Sequence, residues 1–323
     1  MPAMNGSTPK IEIFAPFGAA YELMKTILFR PFDFKKWLVI GLAAFLSGSW
    51  GGGFNFGRLG RWRGGDWKYR MTSHGNLPDW TLPAWAIALI IVAVLLGIIL
   101  AFILMWVSAR GRFIFTDCVV RNRAAIVEPW HEFRREGNSF FLFSIAVAFG
   151  AMLLTGIVIL LIVLPLGLLS SNKAAAAGFG ITFVVALIVF GLIWIAFVLF
   201  FALVSHFMIP VMYRRRCSAR EAFVDVSKLI VHNPEPFILF VLFGIVLALA
   251  VGIIGTMAAC LTCCIGGLPY VSTVLLLPAI VWLLAFKLLF LRQFGDEYDV
   301  WATVGFPVPP ATPPLPPLPI APA

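Results

Sequence analysis

Stretches free of Lys, Arg, Asp and Glu run from Leu82 to Val107, Phe140 to Ser170, Gly178 to Tyr213, Phe237 to Thr262 and Ile265 to Phe286. A helix needs about 20 apolar residues to cross a bilayer, so each of these stretches is expected to span. A sixth stretch, Trp37 to Phe56, is marginal. Its strongly apolar part ends near Leu46, and Ser, Gly and aromatic residues follow.

Charge decides how to treat the marginal segment. Cytoplasmic loops carry an excess of Lys and Arg. If Trp37 to Phe56 spans, 18 of the 24 Lys and Arg fall on one side and 6 on the other; if it does not, the split is 13 against 11 and the bias vanishes. Six spans with both termini cytoplasmic are therefore expected, in a bacterial inner (cytoplasmic) membrane. The composition agrees: 61% of the 323 residues are hydrophobic and 12% charged, against about 25% charged in soluble domains. A soluble enzyme is not expected on that ground. The net charge of +9 follows the loop bias, so no nucleic-acid partner is expected. Met1 to Pro16 lacks a basic segment leading into an apolar one, so no cleaved signal peptide is expected either.

Between the spans lie segments of another kind. Phe17, Ala20, Tyr21, Met24 and Leu28 recur at helical spacing with Glu22, Lys25 and Thr26 opposite, which predicts an amphipathic surface helix over Phe14 to Phe29 ending at Arg30-Pro31. Ser218 with Glu221 forms a capping box that opens a helix with Ala222, Phe223, Val226, Leu229 and Ile230 on one face, closed by His232-Asn233-Pro234. A shorter helix begins at Glu128-Pro129-Trp130 and stops at Gly137-Asn138. Each precedes a span, at intervals of about a hundred residues, which reads as a coarse internal repeat. The expected fold is all-α: six transmembrane helices as three hairpins, each preceded by a cytoplasmic amphipathic helix. Its repeat units run over about 14–107, 116–213 and 218–292 within one membrane domain, 1–300. The remainder, 301–323, is expected to be a disordered tail, with nine prolines from Phe306 onward.

Three groups of residues carry a resemblance: Phe29-Arg30-Pro31-Phe32-Asp33-Phe34-Lys35-Lys36-Trp37; Gly51-Gly52-Gly53-Phe54-Asn55-Phe56; and Arg121-Asn122-Arg123 leading to Pro129-Trp130 and Gly137-Asn138-Ser139. On these, the chain from Phe14 to about Val300 resembles uncharacterised bacterial polytopic membrane proteins. Those are in turn similar to the membrane domain of some glycerophosphoryl diester phosphodiesterases. The resemblance implies a fold and brings no catalytic residues with it. A phosphodiesterase barrel needs about 250 residues, and no polar stretch here approaches that length.

Chemistry-bearing residues are few. Glu128, His131, Glu132 and Glu136 could hold a metal or form a solvated, self-paired polar face. Cys260, Cys263 and Cys264 form C-x-x-C-C, open to small-residue packing, an extracytoplasmic disulfide or a metal. His206 is the one ionisable residue inside a span, read as a packing residue or a proton carrier; Lys287 follows the sixth span and can snorkel. Gly244, Ala248, Gly252 and Thr256, with Cys260, make a small-residue stripe that lets a helix approach, whether internal or from a second copy. Pro165, Pro269 and Pro278 are expected to kink their spans.

The first loop carries Arg58, Arg61, Trp62, Arg63, Trp67, Lys68, Tyr69 and Arg70 on the outer side, against the charge bias. It is expected either to contact an anionic lipid, an acidic glycan or a protein partner, or to be a flexible loop resting on the interface. The expectation is a non-enzymatic integral membrane protein without cofactor, metal or catalytic residues. It would act as a scaffold or organiser of its lipid environment, with membrane lipids and a protein partner or second copy as associates. The alternative is a transporter or channel for a lipid or other amphipathic small molecule. A membrane enzyme ranks third, because no acids or histidines converge in the spans.

Overall fold

The computed structural model describes residues 12, 14–48, 83–169, 173–261 and 269–307. Ten helices occur among them: α1 (Phe14–Leu28), α2 (Phe34–Leu46), α3 (Ala84–Val120), α4 (Val127–Glu132), α5 (Arg134–Leu169), α6 (Lys173–Arg215), α7 (Ala219–His232), α8 (Pro234–Leu261), α9 (Pro269–Leu275) and α10 (Leu277–Arg292). No strand occurs among the described residues.

Four of these, α3, α5, α6 and α8, are long and apolar enough to cross a membrane. None of the most apolar 18-residue stretch of α3 or of α5 is buried inside the chain, and only 6% and 11% of those of α6 and α8 are. Helices apolar all round and unburied in their own protein belong in hydrocarbon. The expected first and last spans are shorter here. α2 has 13 residues, about 20 Å of helix. The sixth apolar run is divided at Leu276 into the 7-residue α9 and the 16-residue α10. Pro269 and Pro278 open these helices rather than kinking them; in a first turn the missing proline N–H has no partner to lose.

The packed core gathers toward one end of the long helices, around Phe113, Phe133, Phe207, Phe237, Phe286 and Phe290, all fully buried. α2 runs antiparallel to α3: Lys36 Nζ donates to Asn122 Oδ1 (2.7 Å) near one end, and Ser108 Oγ donates to the Ser47 carbonyl (3.2 Å) near the other. Their contact requires Gly111, where a Cβ would come within 2.5 Å of the Leu46 backbone. α10 runs antiparallel to α8, with Phe286 stacked on Phe240 (5.2 Å) and Phe290 edge-on to Phe237 (5.5 Å).

The amphipathic segments divide into one that follows the sequence pattern and two that depart from it. α7 has the expected capping box, with Ser218 Oγ accepting from Glu221 N and Glu221 Oε2 accepting from Ser218 N; Ala222, Val226 and Ile230 are buried. Its Phe223 sits between Phe143 of α5 and Phe201 of α6. α1, by contrast, packs along α10 instead of lying free. The Trp282 indole donates to the Phe17 carbonyl (3.2 Å), and Glu12 and Gln293 exchange hydrogen bonds. Its buried face is Pro16, Ala20, Leu23, Met24, Ile27 and Leu28, and it includes Thr26, whose hydroxyl donates to the Glu22 carbonyl; Tyr21 is exposed. The local backbone bond makes burial of Thr26 inexpensive, so the polar side is narrower than the sequence pattern implied.

The Gly137-Asn138 stop does not stop a helix. Both residues lie inside α5, which starts at Arg134 directly after the one-and-a-half-turn α4. Gly137 is there because a Cβ would come within 2.8 Å of Arg110 Cγ, and Asn138 Oδ1 accepts from Arg110 and Trp106. Close helix approach explains the pair. At the other end of the chain, Trp301 and Val300 are buried and Trp301 packs against Phe306 (5.1 Å), so the first residues of the expected tail belong to the fold.

A cationic cavity between the long helices

α3 continues for thirteen residues past the apolar run that ends at Val107, to Val120. Its last turns carry basic residues into the protein, and they meet two different fates. At the far end, Asp117 is fully buried. Its carboxylate accepts from the Tyr213 hydroxyl (2.9 Å) and Arg123 Nε (3.0 Å), and pairs with Arg121 Nε at 3.1 Å. Glu132 of α4 binds Arg121 (2.9 Å) and also Arg216, while Glu128 takes Arg123 (2.7 Å). Glu128 and Glu132, two of the carboxylates considered as metal ligands, are thus occupied by arginines and help fasten α3, α4 and α6 together, while Glu136 approaches Arg216 only to 3.8 Å. Among the described residues no His, Cys, Asp and Glu grouping has metal-site geometry.

Arg110, about two turns back along α3 from Asp117, is buried and pairs with no carboxylate among the described residues. Its guanidinium lies 4.2 Å from the Trp106 ring centroid and 5.0 Å from that of Trp130, and donates to Asn138 Oδ1 at 2.8 Å. Two indole faces and an amide oxygen replace the anion.

Arg112 points elsewhere. It lines a cavity of about 720 Å³ bounded by Ser47 and Gly48 after α2, by α3, by α6 and by α8 and α10. Lys287 of α10 and His206 of α6 line the same space, with the polar Thr116 and Ser205. Lys287 is only 7% exposed. Among the described residues, its ammonium makes one hydrogen bond, a long one of 3.4 Å to the His206 carbonyl. Arg112 Nε donates to the Ser47 carbonyl, also at 3.4 Å, and the guanidinium lies 5.5 Å from the Phe140 ring centroid. An ammonium has three donors and a guanidinium five, so both keep donors for the lumen. No Asp or Glu is among the described residues that line it. Two basic groups sharing a low-dielectric space, with no acid among the described lining residues, are costly to keep charged together, and an anion in the lumen would favour their charged forms.

His206, singled out from the sequence, is on the cavity wall and exposed to it. Lys287 is not snorkelling outward but turned in. Arg112 was missed because the apolar run ends at Val107 and the residues after it read as loop; a helical projection continued through Ser108 to Val120 would have put it on a wall. Gly244 and Ala248 of the small-residue stripe also line the cavity, and a Cβ at Gly244 or Gly252 would meet nothing within 4 Å. On this helix the tight approach is at Gly255, 3.1 Å from Leu276 Cδ1. Gly252, Thr256 and Cys260 are exposed. Cys263 and Cys264, and the loop residues Arg58, Arg61, Trp62, Arg63, Trp67, Lys68, Tyr69 and Arg70, lie outside the described residues.

Apolar helices of this length around a charged cavity define a membrane-embedded helical protein. A family model, described as a family of unknown function (DUF7544), matches residues 12–305, and the chain belongs to that family. The match carries no link to glycerophosphoryl diester phosphodiesterases. No curated protein and no solved structure matches the chain.

Proposed function

We propose that this protein is a non-enzymatic membrane protein that organises its lipid surroundings by holding an anionic ligand inside the bundle. The observation that carries this reading is the pairing of Arg112 and Lys287 across a cavity with no carboxylate among its described lining residues. The Asp117 cluster supplies the contrast: there carboxylates meet the half-buried Arg121 and Arg123, whereas the described lining of the cavity offers Arg112 and Lys287 none. The basic residues from Arg58 to Arg70 fit the same role as a contact for anionic lipid at the opposite end of the spans, in a topology of six crossings with cytoplasmic termini. A bacterial inner membrane and a protein partner or second copy belong to this proposal too.

The test is purification in an uncharged mild detergent followed by native mass spectrometry. The parent protein is expected to retain an anionic lipid or other acidic small molecule, and Arg112→Gln with Lys287→Gln to lose it. Retention by the double variant at the parent level would overturn the reading. Transport of the same class of ligand is the alternative, favoured by the open space beside Gly244; ligand-dependent flux in proteoliposomes would select it.

A further inference from the structure

A second hollow adjoins the cationic cavity. It has a volume of about 500 Å³, lies between α2, α3 and α5, and shares Arg112 and Gly48 with the first. That volume is within the roughly 300–1,000 Å³ of ligand pockets. Its walls are apolar: Phe45, Ile98, Phe102, Met105 and Phe141 among them. The polar atoms it does have are mostly satisfied by the chain itself, since Ser144 Oγ donates to the Phe140 carbonyl (2.8 Å) and Ser108 Oγ to the Ser47 carbonyl. Arg112 supplies the charge, at one end.

From Arg112 back to Ile98 the groove follows α3 for about 20 Å at 1.5 Å per residue. Half of a ~30 Å hydrocarbon core is the depth one acyl chain occupies, so the groove is long enough for one chain. Neighbouring residues of the same helix, Ile99, Leu100 and Ile103, are exposed, which leaves that side open to lipid.

Resting on the anion-binding reading above, we infer that the ligand is a phosphate-bearing lipid. Its headgroup phosphate sits between Arg112 and Lys287, and one of its acyl chains lies in the groove along Ile98 to Met105. A groove with a single charged end, continuous with a cationic cavity, fits an amphiphile better than a small soluble anion. The guanidinium of Arg112 is the hinge between the two parts, and it suits a phosphate by its planar fork of donors.

The experiment uses the full-length protein, delipidated in an uncharged detergent, with dioleoyl phosphatidic acid, dihexanoyl phosphatidic acid, dioleoyl phosphatidylcholine and inorganic phosphate as probes. Dioleoyl phosphatidic acid is expected to bind at least tenfold more tightly than each of the others. Ala101→Trp, which fills the groove, should weaken it by tenfold or more without weakening inorganic phosphate. Lys287→Gln should weaken both. Because Ala101→Trp could disturb folding, the chain-length comparison is made on the unaltered protein. Equal affinity for the long- and short-chain phosphatidic acids, or inorganic phosphate binding as tightly as the lipid, would overturn the inference and leave the anion site standing. If Lys287→Gln weakens neither probe, the anion-binding reading itself falls.

Discussion

Arg112 lies inside α3 and the pair Arg121 and Arg123 in the turn just past its end at Val120, and the chain treats them oppositely. Arg121 and Arg123 converge on the buried Asp117 and are shared with Glu132 and Glu128. Arg112 faces Lys287 and His206 across a cavity with no acid among its described lining residues. A buried charge with its partner removed costs several kcal/mol, whereas replacing a whole buried ion pair by apolar groups of similar size is often neutral or stabilising; a buried cation with no partner carries the desolvation cost alone. The first cluster is therefore what holds α3, α4 and α6 in place, and the second is a charge kept at some cost to stability. On the proposed function, that cost is offset when an anion enters the cavity.

The contrast predicts opposite signs. Asp117→Ala should lose about 3 kcal/mol of stability, because it leaves Arg121 and Arg123 and the Tyr213 hydroxyl facing a buried hole; thermal unfolding in detergent measures it, and a neutral result would remove the structural role. Lys287→Met, in ligand-free protein, should gain about 2 kcal/mol. A loss of that size would show Lys287 to be structural after all. Arg123→Gln should lose only about 1 kcal/mol, since the guanidinium is partly exposed and its pair with Glu128 is screened.

The smallest expected effect is a rate. Burial pushes the Cys217 thiol above its ordinary range, against the pull of the Arg215 guanidinium, while Asp225, which pairs with Arg215 at 2.6 Å, adds to the upward push. The thiolate is the reactive form, so Cys217 should alkylate slowly at neutral pH and faster as pH rises. Asp225→Asn removes one upward push and frees Arg215, which lowers the thiol and should speed alkylation of the Cys217 peptide several-fold at pH 7.5. An unchanged rate would mean that the arginines at this end are not held by their carboxylates.

The sequence made the membrane helices and α7 legible because their signals are local: uninterrupted apolar length in one case, Ser218 with Glu221 and a one-sided apolar face in the other. The helix ends were less legible. Gly137-Asn138 has the chemistry of a stop, and only the proximity of Arg110 reveals that the glycine makes room and the asparagine is a ligand for the guanidinium. α1 reads as a surface helix because its pattern shows one apolar face, but a pattern cannot say whether lipid or α10 will cover that face. The site was the least visible part. Of its three basic groups, His206 stood out by being alone in an apolar run, Lys287 read as an end-of-span residue, and Arg112 was hidden by the assumption that a helix stops where its apolar run stops. What unites them is a distance in space between residues 112, 206 and 287, and no spacing along the chain encodes it.

If the cavity keeps its basic groups unpaired for an anion from outside, a carboxylate supplied from within should take the anion's place. Unfolding temperatures of the parent and of Lys287→Glu, each delipidated, are compared with and without excess dioleoyl phosphatidic acid. Lipid should raise the parent by several degrees, as a ligand of the folded state must. Lys287→Glu, with its new carboxylate facing Arg112, should already unfold above the lipid-free parent and respond little to lipid. A Lys287→Glu protein that unfolds below the lipid-free parent, or that lipid stabilises as much as it does the parent, would mean that the cavity is not an anion site.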